Sequence, residues 1–192
     1  ATFTDRHHLQ GEYVQAMRKH IRTLVAADMQ PATSVFVGGG TPTMLPAEEL
    51  LSVLAEIPLA SRAEVTVECN PDDITLEMMQ RYLRGGVNRV SIGVQSTVDH
   101  VLQSLGRTHN PENVQRAVAH VKQAGFLTFN LDIMYGAAGE SLADWQQTVA
   151  DIVALEPPHV SAYGLTIEAN TPLASQPERH PDDDDQADKY EW

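Results

Sequence analysis

The chain has 192 residues, a formal net charge of −13 at pH 7 and 42% hydrophobic residues. These values are typical of one globular domain with enough chain for a sizeable core. The acidic excess argues against a nucleic-acid partner, which requires a basic surface. No apolar run approaches the length of a membrane span, and the single cysteine allows no internal disulfide, which is compatible with a cytoplasmic location.

Apolar residues at helical or alternating spacing predict five strands separated by helices. The first helix is expected at residues 8–28. Thr75, Asn110 followed by Pro111, and Ser141 are start signals for three later helices. Residues 189–192 are expected to lie within the first turns of a final helix, after an acidic run that favours the positive end of that helix. The strands are expected at residues 33–37, 64–68, 89–94, 127–133 and 160–165, and the helices between them at 46–57, 76–84, 98–105, 111–124 and 142–153.

Strands that alternate with helices in this way run parallel and are joined by right-handed crossovers. A doubly wound open sheet and a (β/α) barrel both fit this α/β pattern. No dinucleotide fingerprint favours the open sheet. The helix at 8–28 has no strand before it, and we therefore expect that a preceding strand is missing from this chain.

Three consecutive glycines, Gly38, Gly39 and Gly40, follow the first predicted strand and precede a helix. Such a loop lets a ligand approach bare backbone N–H groups, but a plain tight turn between strand and helix would also explain it. Its spacing matches neither a P-loop nor the dinucleotide fingerprint. The later strand ends decide between these interpretations.

Ligand sites of parallel α/β folds lie at the carboxyl ends of the strands, and here those ends are polar. Glu68 and Asp132 are carboxylates at the ends of otherwise apolar strands, where burial is costly unless the charge is paired. Capping of a neighbouring loop would explain either one alone, whereas polar groups at all five ends favour a site. Acidic side chains suit ribose hydroxyls and an ammonium, and Arg107 suits a carboxylate.

The histidines form no zinc motif. His7, His8, His109 and His180 are expected to be exposed, and His159 is expected to be structural. The single cysteine, Cys69, is expected to pack as a small residue near the end of its strand.

Five segments in this order resemble the radical S-adenosylmethionine (SAM) family that includes oxygen-independent coproporphyrinogen III oxidase. They are residues 37–45 (VGGGTPTML), 67–72 (VECNPD), 89–96 (RVSIGVQS), 105–109 (LGRTH) and 129–136 (FNLDIMYG). Residues 161–172 (SAYGLTIEANTP) and 181–185 (PDDDD) resemble the heme-chaperone, or HemW-like, branch more than the oxidase.

The resemblance implies a partial (β/α)6 barrel of the radical-SAM type, truncated here at its first strand. Residues 1–170 would be the barrel core, and residues 171–192 would begin an acidic connection to a missing C-terminal region. In the family, a CxxxCxxC loop after the first strand holds a [4Fe–4S] cluster. SAM binds that cluster, and its reductive cleavage yields a 5′-deoxyadenosyl radical.

The resemblance also assigns roles to residues of this chain. The glycine loop would bind the methionine part of SAM, and Thr166 falls on an adenine-side contact. The implied SAM-binding residues are Gly39, Gly40, Thr41, Glu68, Gln95, Arg107, Asp132 and Thr166.

The chain departs from the family pattern in two ways. The cysteine motif is absent, and residues 1–4 resemble the segment directly after that motif, so we expect this chain alone to hold no cluster and to make no radical. Ala137 and Ala138 replace the usual Leu-Pro after Gly136.

Three functions remain open at this point. The first is a heme chaperone whose barrel binds SAM and whose full-length form handles heme. The second is the oxidase itself, which converts two propionates of coproporphyrinogen III to vinyl groups. The third, of another class, is a non-radical barrel that binds a small polar ligand.

The strand at 33–37 has a further implication. Without a preceding strand, its edge presents unpaired backbone groups. We therefore expect dimerisation through that edge, exchange of elements between chains, or protection by the N-terminal helix.

Overall fold

Five parallel strands lie side by side in chain order and form a half-barrel, as expected. A computed structural model describes residues 7–192; the expectations for residues 1–4 and for the His7 side chain lie outside it. The strands are β1 (Ala32–Val37), β2 (Leu59–Cys69), β3 (Arg89–Gln95), β4 (Thr128–Tyr135) and β5 (His159–Gly164). The helices are α1 (Gln10–Ala26), α2 (Ala47–Leu54), α3 (Leu76–Arg84), α4 (Asp99–Ser104), α5 (Pro111–Ala124), α6 (Leu142–Ala154) and α7 (Asp183–Glu191).

The predicted helix starts are confirmed by their caps. The Thr75 hydroxyl accepts a hydrogen bond from the Met78 N–H at 3.1 Å. The Asn110 side-chain oxygen accepts a hydrogen bond from the Asn113 N–H at 2.9 Å. Ser141 forms a reciprocal capping box with the acidic side chain three residues later. Each cap satisfies a backbone donor that the first helical turn leaves without a partner.

Two elements differ from the prediction. Strand β2 begins at Leu59 rather than at residue 64, because Leu59 pairs with Ala32 before an irregularity in the β1–β2 register. Helix α7 begins at Asp183, inside the acidic run, so Lys189 and Tyr190 lie in its last turn rather than in its first turns. Three aspartates lie in its first turn, at the positive end of the helix dipole.

The two faces of the sheet have opposite chemistry, because successive residues of a strand point to opposite sides. On β3, Val90, Ile92 and Val94 are fully buried in the core that lies between the sheet and the helices. The alternate residues Ser91 and Gln95 lie on the concave face and line a cavity there. The candidate site therefore lies on the polar concave face of the half-barrel.

The outer elements are less covered. Val14 is the buried residue of α1, whereas the apolar residues Leu9, Tyr13 and Leu24 are exposed at the surface. Strand β1 pairs with β2 alone among the described residues, and β5 pairs with β4 alone. No helix in the described range 7–192 combines the length and the apolar character needed to cross a membrane.

Candidate ligand site at the carboxyl ends of the strands

A cavity of about 470 Å³ occupies the concave face of the half-barrel. Side chains or backbone from all five strands and from the loops that follow them line it. The lining residues are Phe36, Gly40, Thr41, Pro42, Glu68, Cys69, Asn70, Arg89, Ser91, Gly93, Gln95, Arg107, Asn130, Asp132, Ser161 and Tyr163.

The glycine loop is tied to the end of β2 through Glu68. The Gly39 N–H donates a hydrogen bond to Oε2 of Glu68 at 2.9 Å. Gly39 and Gly40 have φ angles of +80° and +59°, which favour glycine. A Cβ on Gly38 would lie 2.6 Å from the Phe36 ring and 2.9 Å from the Glu68 carboxylate, so the side chains there leave no room for one.

Asp132 is held by hydrogen bonds to both of its carboxylate oxygens. The Ser91 hydroxyl donates to Oδ2 at 2.7 Å, and the Asn130 amide donates to Oδ1 at 2.7 Å. The same amide group also donates to the Ser91 oxygen at 2.7 Å. The three side chains therefore form a closed polar triangle that fixes the Asp132 carboxylate.

A second layer of polar groups supports this triangle from β5. The Asn130 carbonyl oxygen accepts hydrogen bonds from the Ser161 hydroxyl at 3.2 Å and from His159 Nδ1 at 2.5 Å. His159 thus contacts the residue that holds Asp132. Both the amide and the carbonyl of Asn130 are satisfied, which leaves that side chain one orientation.

Ser91 and Asn130 are site residues that sequence reasoning missed, although a signal for them exists. Ser91 lies two residues before Gly93, and Asn130 lies two residues before Asp132, so each shares the cavity-facing side of its strand. Asn130, at 2% exposure, is an amide inside an otherwise apolar strand. Such a residue needs hydrogen-bond partners, and here those partners form the site.

Gln95 ends β3 in a strained conformation. Its φ is +66°, and the Ser96 N–H donates to the Val94 carbonyl at 2.8 Å, which defines a γ-turn of the rare positive-φ kind. The Tyr163 phenol donates to Oε1 of Gln95 at 2.9 Å. Burial raises the pKa of the Tyr163 phenol, so it stays protonated and remains a donor at neutral pH.

Arg107 gives the site a cation. Its side chain is exposed and lines the cavity, and no carboxylate among the described residues forms an ion pair with its guanidinium. The cavity thus contains two carboxylates, Glu68 and Asp132, and two guanidinium groups, Arg89 and Arg107. Arg89 lies 4.0 Å from the Glu64 carboxylate, whereas Arg107 is free to meet an anionic group. A ligand that carries both an ammonium and a carboxylate matches this distribution of charge.

The structure brings most of the predicted site residues together. Gly40, Thr41, Glu68, Gln95, Arg107 and Asp132 line one cavity. Gly39 contacts Glu68 directly. Thr166 is exposed and is not among the described residues that line this cavity. Its neighbour Leu165 lines an adjacent cavity of about 410 Å³ that shares Gln95 and Arg107 with the first.

The described residues do not fit an iron–sulfur cluster. Cys69, the single cysteine of the chain, is buried, and its Sγ points to the Val67 carbonyl at 3.6 Å. Burial raises the pKa of the Cys69 thiol, which opposes the thiolate form that iron requires. No group of three or more potential metal ligands occurs within residues 7–192.

One histidine prediction is wrong. His8 and His180 are exposed as expected, but His109 is only 4% exposed. The segment that follows α4 folds back onto the end of β3, where Nε2 of His109 contacts the Val94 carbonyl at 2.8 Å. Burial lowers the pKa of His109, so the imidazole is neutral at pH 7.

Comparison with known proteins defines the class to which this fold and site belong. Residues 5–152 match the family model of the Radical SAM superfamily, and the chain therefore belongs to that superfamily. Among solved structures, it is similar to coproporphyrinogen III oxidase (HemN) from Escherichia coli, with a TM-score of 0.84 and 24% identity over 98% of this chain and 45% of that chain. This likeness confirms the fold.

Curated relatives are named heme chaperone HemW. The protein of Escherichia coli (strain K12) is 42% identical over 188 residues, which are 93% of this chain and 50% of the relative. That of Mycobacterium tuberculosis (strain H37Rv) is 38% identical over 93% of this chain and 48% of its own length. The protein of Bacillus subtilis (strain 168) is 33% identical over 83% of this chain and 44% of its own length. The chain thus spans about half the length of these relatives.

Proposed function

We propose that this chain is the SAM-binding core of a HemW-like heme chaperone. The observation that carries the proposal is the cavity that gathers the glycine loop, Glu68, Gln95, Arg107 and Asp132 in a chain 42% identical to a HemW protein. The alternative, coproporphyrinogen III oxidase, is supported by similarity of fold at 24% identity. A non-radical binding module has no observation in its favour.

The residues of the cavity fit the functional groups of SAM. Arg107 would bind the methionine carboxylate as a charge-assisted pair. Gly39, Gly40 and Thr41 would hold the methionine part. Glu68 and Asp132 would accept hydrogen bonds from the ammonium and the ribose hydroxyls, and Gln95 would supply an amide. Thr166, beside the adjacent cavity, would lie on the adenine side.

A [4Fe–4S] cluster, when bound, supplies the electron that cleaves SAM in this superfamily. Its ligands are not among the residues of this chain, which has one cysteine. The role of the chain is therefore to bind and orient SAM, and to keep the carboxylates of the site fixed before SAM arrives. We propose residues 1–170 as the barrel core and residues 171–192 as the start of the connection to a further region.

The heme part of the proposal rests on the relatives. Relatives such as the 42% identical protein of Escherichia coli are named heme chaperones, and on that basis we infer that the native gene product handles heme. Heme or a porphyrinogen would be bound by the native gene product, in the cytoplasm. A buried, unpaired Cys69 is compatible with that location.

Two assays on the native gene product, reconstituted with iron and sulfide without oxygen, separate the alternatives. The chaperone proposal predicts a heme-induced Soret absorption band and no vinyl product from coproporphyrinogen III with SAM and a reductant. Turnover of coproporphyrinogen III would contradict it and favour the oxidase. Neither heme binding nor turnover, together with no affinity for SAM, would favour the non-radical module.

We also infer that this chain, expressed by itself, dimerises through the outer edge of β1. That edge lacks a strand partner among the described residues, and Phe36 on the same strand is 61% exposed. Light scattering after size exclusion should give twice the chain mass, and Ser34→Pro should restore the monomer by blocking backbone pairing. A monomeric wild-type chain would contradict this inference.

A further inference from the structure

The end of β3 is irregular at the residue that enters the site. Pairing with β4 goes from Gly93 to Gln95, so Val94 is skipped in the ladder. Gln95 has a φ of +66°, a conformation that a non-glycine side chain rarely adopts. A backbone held in this way persists only where the surroundings determine it, and such positions cluster at ligand sites.

A hydrogen bond from His109 helps to hold the backbone conformation at Gln95. The Val94 carbonyl accepts two hydrogen bonds, from the Ser96 N–H at 2.8 Å and from His109 Nε2 at 2.8 Å. A carbonyl oxygen only accepts, so Nε2 carries the proton and His109 is the Nε2–H tautomer. Nδ1 is buried and has no hydrogen-bond partner among the described residues.

The same histidine connects two sides of the cavity. Arg107, two residues earlier, lines the cavity from the loop after α4, whereas Gln95 lines it from β3. The hydroxyl of Thr108, the residue between Arg107 and His109, donates a hydrogen bond to the Asp72 carboxylate at 3.1 Å. This bond connects the loop to the segment that follows β2. His109 itself is not among the described residues that line the cavity.

We propose that His109 is a positioning residue, whose Nε2–H holds the Val94 carbonyl and thereby sets both the Gln95 turn and the loop that carries Arg107. Its role is to hold the backbone at Gln95 and at Arg107 in position before a ligand binds. The inference rests on the proposed SAM site.

Three variants of the native gene product test this role. His109→Phe fills similar space but removes the donor, and His109→Gln places an amide N–H near the position of Nε2. His120→Phe is the matched control, because His120 Nδ1 also contacts a backbone carbonyl, that of Ile74 at 3.3 Å, away from the cavity. The readouts are the dissociation constant for SAM, measured without oxygen, and amide hydrogen exchange at Ser96.

We expect His109→Phe to weaken SAM binding about tenfold, the equivalent of about 1.4 kcal/mol, and to speed exchange of the Ser96 N–H. His109→Gln and His120→Phe should stay within about threefold of the unmodified protein, less than 1.4 kcal/mol. Unchanged SAM affinity in a folded His109→Phe protein would overturn the proposal. Equal losses in the Gln and Phe variants would also overturn it, because packing rather than the N–H donor would then be responsible.

Two measurements separate failure of this inference from failure of the proposed function. Absence of SAM binding by the unmodified protein would contradict the proposed function, whereas the exchange rate at Ser96 would still test the contact with Val94. If His109→Phe does not fold, the nitrogen-15 spectrum of the unmodified protein decides. Protonation at Nδ1 instead of Nε2 would overturn the proposal.

Discussion

The Ser91 hydroxyl donates a hydrogen bond to Oδ2 of Asp132 across neighbouring strands, at 2.7 Å. With Asn130 it fixes the carboxylate in an orientation that does not depend on a bound ligand. A site built in this way meets its ligand with little reorganisation, which lowers the entropic cost of binding. The side chains that hold Asp132 should therefore matter nearly as much as Asp132 itself.

Ser91→Ala is expected to weaken SAM binding about fivefold, because loss of a typical hydrogen bond costs about 1 kcal/mol. The measurement is the dissociation constant for SAM of the native gene product. Ser52→Ala is the matched control, since the Ser52 hydroxyl donates to the Glu49 carbonyl on helix α2 and Ser52 is not among the described residues that line the cavity. Equal affinities in the two variants would mean that Ser91 does not position Asp132.

Gly38→Ala should disrupt the site, because the added Cβ would meet the Phe36 ring and the Glu68 carboxylate at less than 3.0 Å. Displacement of Glu68 breaks its hydrogen bond from Gly39, and we expect SAM affinity to fall about tenfold or more, as for loss of a charged hydrogen bond. Gly11→Ala in helix α1 is the control, because a Cβ there meets nothing within 4 Å. It should leave affinity unchanged and raise stability by up to about 1 kcal/mol.

Helix α7 is anchored by a buried lysine. Lys189 is 1% exposed, and its Nζ donates to the Glu140 carbonyl at 2.8 Å and lies 3.5 Å from the Glu140 carboxylate. Lys189→Met would remove the cation beside the buried Glu140 carboxylate and leave it only the N–H donors of Gly136 and Ala137, and we expect a loss of about 3 kcal/mol in the free energy of unfolding. Urea denaturation measures it. Arg179→Met, which removes a more exposed cation from the same region, should cost less; an equal loss would argue against a special role for Lys189.

The free energy of unfolding should depend on pH through the titration of the Glu140 carboxyl. Burial raises the pKa of this carboxyl, although the Gly136 N–H and Lys189 oppose the rise. The folded state therefore keeps the proton at pH values where the unfolded chain has released it. The contribution of Glu140 to the free energy of unfolding falls as the pH rises from the ordinary carboxyl pKa through the raised one, and is constant beyond both.

Glu140→Gln should remove this fall, because an amide does not titrate. Urea denaturation of both proteins across that pH range tests it, with Glu77→Gln at an exposed position as the control. A slope with pH that is the same in the unmodified protein and in Glu140→Gln would contradict the assignment.

The elements of this fold could be predicted because each carries a local signal. The caps at Thr75, Asn110 and Ser141 act within one helical turn, and each lies where the sequence indicates. The carboxylates Glu68 and Asp132 also stand out locally, because each interrupts an apolar strand. Parallel pairing then brings both to the same end of the sheet, where they line one cavity.

The missed features depend on contacts between distant segments. His109 is buried because a γ-turn exposes a carbonyl 15 residues earlier, and no local pattern indicates that turn. Asn130 acquires its role from partners on two neighbouring strands. The start of β2 is set by pairing of Leu59 with Ala32 rather than by its own residues.

The most direct test of the central claim is the dissociation constant for SAM of the native gene product, compared with those of Asp132→Ala and Glu68→Ala. Each variant removes a charged hydrogen-bond acceptor worth about 1.5–3 kcal/mol. We predict a tenfold to hundredfold loss of affinity in each, the equivalent of about 1.4–2.7 kcal/mol, with Glu77→Gln unchanged. Affinities equal to that of the unmodified protein in both carboxylate variants would show that this cavity is not the SAM site.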